Sequence, residues 1–114
     1  MAILSFALTA EEFTSGRKSV TRRDWSDRHL SMWQGLWDTG RLLHQAWDNI
    51  PIAGGKPIGE LVLTARPYRE KLGDMPRADL IAEGGMCSTL QDYCQLIRKS
   101  PDDVVAVIRF ERVS

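Results

Sequence analysis

Apolar residues fall along the chain in short bursts whose spacing keeps changing. Ile3 to Leu8 is a compact apolar run, which predicts a strand. Thr9-Ala10-Glu11-Glu12 comes next with the capping-box pattern, Thr9 as cap and Glu12 reaching back, so a short helix should begin there and run to Ser15. Gly16 is placed to end it in the left-handed conformation, and Val20 and Thr21 then favour extended chain. From Ser26 to Trp37, the residues Leu30, Trp33, Leu36 and Trp37 recur at helical spacing, predicting a helix with one apolar face on the core, stopped at Gly40.

The second half alternates differently. Leu42 to Trp47 reads as a strand, and Asn49 to Pro57, with Pro51, Gly54, Gly55 and Pro57, reads as a loop. Leu61 to Thr64 is a clear strand, Pro67 confines its continuation to an edge or a bend, and Tyr68 to Leu72 carries extended chain onward. Pro76 to Glu83 predicts a helical turn closed by Gly84-Gly85. Ser88 and Gln91 form a second capping box for a helix to Lys99, with Leu90, Tyr93, Cys94 and Ile97 on one stripe and Pro101 beyond its end. Val104 to Phe110 is a β-branched run suited to the centre of a sheet. Strands separated by irregular spacers and short helices predict an α+β fold: a mixed, mostly antiparallel sheet curled into a small barrel, with short peripheral helices.

Composition narrows the setting. The chain's 114 residues suit one domain, 1–114, and its 43% hydrophobic content supplies one core. Lys+Arg and Asp+Glu are both 15, so any electrostatic argument rests on where the charges lie. Arg17, Lys18, Arg22, Arg23 and Arg28 against Asp24 and Asp27 make the densest positive stretch; Arg66, Arg69, Lys71 and Arg77 against Glu70 and Asp74 make a weaker one. Cys87 and Cys94, seven apart in a stretch predicted helical, would lie about 10 Å apart, too far for a disulfide, so both are expected as free thiols. No metal-ligand set is recognisable, and neither a metal nor a cofactor is expected. The apolar start lacks a preceding Lys or Arg and runs into Glu11 and Glu12, unlike a signal peptide. No apolar run approaches the roughly 20 residues of a membrane span, so the expectation is a cytoplasmic protein with no membrane partner.

Chemistry is concentrated in one run, Gly16-Arg17-Lys18-Ser19-Val20-Thr21-Arg22-Arg23, where small, hydroxyl and cationic groups are packed together. Gly16, Lys18, Thr21 and Arg23 fill the pattern Gly-x-Lys-x-x-Thr-x-Arg soon after a strand and a helix, and Glu83-Gly84 stands shortly before the last helix and final strand. In these motifs and their order, from Ile3 to Val113, the chain resembles the ASCH domain family, whose fold is a PUA-like β-barrel. It departs from many relatives in having Gly40-Arg41 where they carry Gly-Asp, and in the tryptophans between Trp25 and Trp47.

Compact members of that family resemble amidohydrolases that remove the acetyl group from N(4)-acetylcytidine. The resemblance implies a nucleoside- or RNA-related protein with Lys18, Thr21 and Glu83 as the catalytic residues. The chemistry is coherent, because a threonine hydroxyl needs a base to take its proton and a neutral lysine can serve. Lysine must first fall from its usual pKa near 10.4 to about 7, a direction in which burial and the flanking Arg17, Arg22 and Arg23 both push. Glu83 would then donate to the leaving amine or help activate water. Residues three apart in a regular strand point to opposite faces, so a turn or bulge is expected at Ser19-Val20 between Lys18 and Thr21.

A binding module uses the same cleft otherwise: Lys18, Arg22 and Arg23 would contact phosphate, Gly16 and Arg17 would belong to the same ligand-binding run and Trp25 would stack a base, with a nucleoside or single-stranded RNA as partner and no bond broken. Single-strand ribonuclease activity is a third reading. Trp33 and Trp37 are four apart and suit the core. His29 and His44 have no carboxylate or cysteine at a telling spacing, and Arg66, Arg69, Lys71 and Arg77 fit either a nucleic-acid groove or a charged edge strand.

Overall fold

The structure is a computed structural model that describes residues 1–113. Its framework is set by the β-branched run, which forms β6 (Val104–Arg112), the strand with most neighbours. One edge of β6 pairs antiparallel with β2 (Val20–Arg23), from Val20↔Arg109 to Arg23↔Ala106. Its other edge is shared between β5 (Tyr68–Lys71), opposite Val104 to Val107, and β4 (Pro57–Leu63), opposite Phe110 to Arg112. β4 continues antiparallel to β3 (Leu43–Trp47), and β1 (Ile3–Ser5) adds in parallel at the far end. The result is an α+β fold with a six-stranded mixed sheet, ordered β1-β3-β4-β6-β2 with β5 beside β6.

The sheet does not close. β1 and β2 lie at its two ends with no ladder between them, so the expected barrel is corrected to an open sheet. The reason lies in β1, which takes only three residues of the apolar run; after Phe6, whose amide still bonds Trp47 O, the chain turns into α1 (Ala10–Thr14).

Alternation along β6 divides the interior in two. Ala106, Ile108 and Phe110 join Leu4, Phe6, Phe13, Leu30, Trp33, Leu61 and Leu63 in one cluster, with Phe6 and Phe13 stacked at 4.8 Å. Val105 faces a second cluster of Leu72, Met75, Leu80, Tyr93 and Cys94. α2 (Asp27–Asp38) covers the first cluster through Leu30 and Trp33; Ser26 caps it by accepting from His29 N at 3.1 Å. Gly40, at φ 75°, ends it as the glycine rule expects, with Arg41 N reaching back to Leu36 O. α3 (Asp79–Ala82) and α4 (Leu90–Ile97) cover the second cluster.

The helix caps differ in detail from the sequence reading. Thr9 sits at the N-cap of α1 but makes no side-chain capping bond. At α4 the cap is Thr89, accepting from Asp92 N at 3.1 Å, one residue later than the Ser88–Gln91 box. α4 ends at Arg98, in left-handed conformation at φ 58°, before Pro101 is reached. Both cysteines are free thiols, but Cys87 precedes α4 rather than lying in it. Among the described residues no helix is long and apolar enough to cross a membrane.

Candidate functional site

The unclosed gap between the two end strands contains a cavity of about 430 Å³. Ser5 to Thr9 form one wall, Lys18 and Thr21 to Arg23 the opposite one, and Glu83 and Tyr93 lie between, with Met86, Leu96 and Ile97 also lining it. Its size is within the range of small-molecule sites.

Local backbone bonds assemble it. Gly16, at φ 79°, releases the chain from α1, and Lys18 N then bonds Glu12 O at 3.1 Å while Ser19 N bonds Ala82 O at 2.8 Å. The lead into β2 is thereby tied to the end of α3, next to Glu83. Gly84 passes so close to α1 that a Cβ there would come 2.9 Å from Glu12 Cγ, and its φ of 130° already favours glycine. Neither a turn nor a register shift occurs at Ser19-Val20, contrary to expectation. Lys18 reaches the cavity because it lies before the ladder, in irregular chain, and escapes strand alternation.

Lys18, Thr21 and Glu83 are all buried, at 3%, 4% and 3% exposure, which separates them from solvated surface charges. Lys18 Nζ donates to Glu83 main-chain O at 2.9 Å and lies 3.4 Å from Glu83 Oε1. Burial pushes the lysine below its ordinary pKa; Glu83 opposes this and Arg23 adds to it. Thr21 Oγ1 accepts from Arg23 Nε at 3.1 Å. Among the described residues no hydrogen bond joins Lys18 to Thr21.

Glu83 has two further donors. Tyr93 Oη donates to Oε1 at 2.6 Å, and Arg22 Nη1 donates to Oε2 at 3.2 Å. Arg22 also binds Asp79 Oδ2 at 2.5 Å and Glu70 Oε1 at 2.8 Å, and Asp79 accepts from Arg109 as well. Desolvation works against the charge on Arg22, but its bonds to Asp79 and Glu70 outweigh that and hold its pKa above the ordinary value. The guanidinium is therefore committed to three carboxylates rather than free for a phosphate.

Arg23 is different. Its guanidinium donates to Ser5 O and to Thr21 Oγ1 and lies 5.4 Å from the centre of the Phe6 ring, bridging the gap between the end strands through a side chain. Burial lowers its pKa to about 10, against a partial restoring pull from Glu83.

No protein-family model, curated protein or solved structure matches the chain.

The other residues singled out from sequence lie away from the cavity. Gly16 shapes the approach without lining it, and Arg17 is exposed outside it. Trp25 stacks on His29 at 4.1 Å and on Trp33 at 5.5 Å, packing against the first core cluster. His44 is buried on β3, accepting from Ala2 N at Nδ1, with Nε2 2.7 Å from Arg41 O. Arg66, Arg69 and Lys71 are each paired with an acid: Asp38, Asp27 and Asp102. No group of three or more His, Cys, Asp or Glu among the described residues is arranged to hold a metal.

Tyr93, Asp79, Glu70 and Arg109 were not singled out from sequence. For Tyr93 one signal existed: a tyrosine inside the apolar stripe of a buried helix needs a partner for its hydroxyl.

Proposed function

We propose that the chain is an ASCH-type amidohydrolase of PUA-like ancestry whose sheet stays open, acting on N(4)-acetylcytidine or a similarly acylated nucleoside in the cytoplasm. The observation that carries this reading is the convergence of Lys18, Thr21 and Glu83 on one cavity, with Lys18 and Glu83 joined although 65 residues apart. Neutral Lys18 takes the Thr21 proton as Oγ1 bonds to the acyl carbon. Collapse of the tetrahedral intermediate breaks the C–N bond, and the amine leaves with a proton passed from Lys18 through Glu83. Water then cleaves the acyl-threonine ester, restoring the hydroxyl and releasing the carboxylic acid. Arg23, already donating to Thr21 Oγ1, steadies negative charge as it develops on that oxygen.

One feature weighs against the RNA-binding and ribonuclease readings at this site: Arg22, which those readings give to phosphate, is occupied by three carboxylates. The test is to incubate the purified protein with N(4)-acetylcytidine and follow cytidine release. Turnover by the wild type that disappears in Lys18→Ala and Thr21→Ala is expected; no turnover above those variants removes the reading.

A further inference from the structure

Of the cationic side chains lining the cavity, Arg23 alone has no carboxylate partner among the described residues. Lys18 rests on Glu83, and Arg22 is shared among Glu70, Asp79 and Glu83, whereas Arg23 bonds only neutral oxygens, Ser5 O and Thr21 Oγ1. Its Nη1 donates to nothing in the protein among the described residues. A partly buried guanidinium without a counter-ion carries an uncompensated desolvation cost, and an anion entering the cavity would relieve it.

The remaining walls describe the rest of such a ligand. Phe6 and Ile97 line the cavity, and Leu8, Met86 and Leu96 line it while 83%, 39% and 47% exposed. Apolar side chains left open to water around a pocket are expected where an apolar ligand covers them. A phosphate dianion fits poorly, because it would bring two charges to one unbalanced cation beside Glu83 and set its outer oxygens against these walls. A carboxylate carries one charge and is planar, matching a guanidinium edge.

We infer that the cavity is a binding site for an apolar monocarboxylate, its head on Arg23 and its chain or ring against Leu8, Met86 and Leu96. The site needs no bond cleavage to operate, although a carboxylate is also what amide hydrolysis leaves behind.

Calorimetric titration of the full chain near pH 7, at fixed ionic strength in chloride, tests it with acetate, hexanoate, hexylamine and inorganic phosphate. Expected is one hexanoate per chain, bound at least about tenfold more tightly than acetate because the additional methylenes leave water, with no binding of hexylamine or phosphate. Arg23→Gln should abolish hexanoate binding. Leu96→Ser, at an exposed position that tolerates the change, should weaken hexanoate and leave acetate unaltered, which keeps the test decisive if Arg23→Gln does not fold. Equal binding of hexylamine or phosphate, hexanoate affinity unchanged by either substitution, or no heat with hexanoate would overturn the inference. Carboxylate binding without N(4)-acetylcytidine turnover would sustain this site and remove the hydrolase; turnover without carboxylate binding would do the reverse.

Discussion

Tyr93 places its hydroxyl 2.6 Å from Oε1 of Glu83, and both groups are almost wholly buried. Burial, then the nearby Glu83 charge, raises the phenol above its ordinary pKa, so the tyrosine remains a donor. Tyr93→Phe keeps the ring in the second core cluster and removes only that bond. A hydrogen bond to a charged group contributes about 1.5–3 kcal/mol, and urea denaturation should register a loss of that order.

Arg22 is the joint of the buried ionic cluster, touching carboxylates from β5, α3 and the end of α3 at once. Arg22→Met should cost more than any surface charge substitution, about 3–5 kcal/mol, because it leaves buried carboxylates without their shared cation. Arg66→Met, whose ion pair with Asp38 is half exposed and screened by solvent, should leave stability nearly unchanged. Parallel urea denaturation of the two variants checks the contrast.

Acid should act through Asp79. Burial pushes its carboxyl upward, but the bonds from Arg109 and Arg22 prevail and hold it below its ordinary value of 3.8. A carboxylate with a depressed folded-state pKa contributes stability that is fully present above the unfolded value and lost as pH falls through the folded one. Melting temperature should therefore drop as pH is lowered below about 4. In Asp79→Asn the melt should already be lower at neutral pH, and this part of the acid dependence should vanish.

Lys18 predicts the opposite limb. With its folded-state pKa below the ordinary 10.5, the deprotonated base becomes available at lower pH than for a free lysine. Hydrolysis of N(4)-acetylcytidine should rise with pH through a single titration below 10.5, and Lys18→Ala should lose about 10²–10⁴ in kcat/KM. Stability has the matching sign: between the two pKa values the unfolded chain holds the extra proton, so the fold gains stability as pH climbs.

Much of the scaffold was readable in the sequence because local rules and tertiary packing agree. Val104 to Ile108 formed the central strand that their β-branching predicts, and Gly16 and Gly40 turned the chain where a left-handed residue was needed. The motif residues Lys18, Thr21 and Glu83 line one cavity. The partners of Arg22 were not readable, because Glu70 approaches it only through the register that sets β2 and β5 on opposite edges of β6, and Asp79 only through the placement of α3 in the tertiary fold. Nor was the gap: Ile3 to Leu8 is apolar almost throughout, yet Phe6 to Leu8 leave the sheet, and Leu8 ends up largely exposed at the cavity. Trp25 beside the arginines suggested base stacking, but His29 and Trp33, four and eight residues on, took that face.

A wall that is zipped to its neighbour by a ladder moves only when several main-chain bonds break together. Among the described residues no ladder joins Ser5 to Arg23, and the side chain of Arg23 reaches across to one carbonyl. The two banks of the cavity are consequently tied through one side chain, and a ligand that takes the guanidinium competes with that tie.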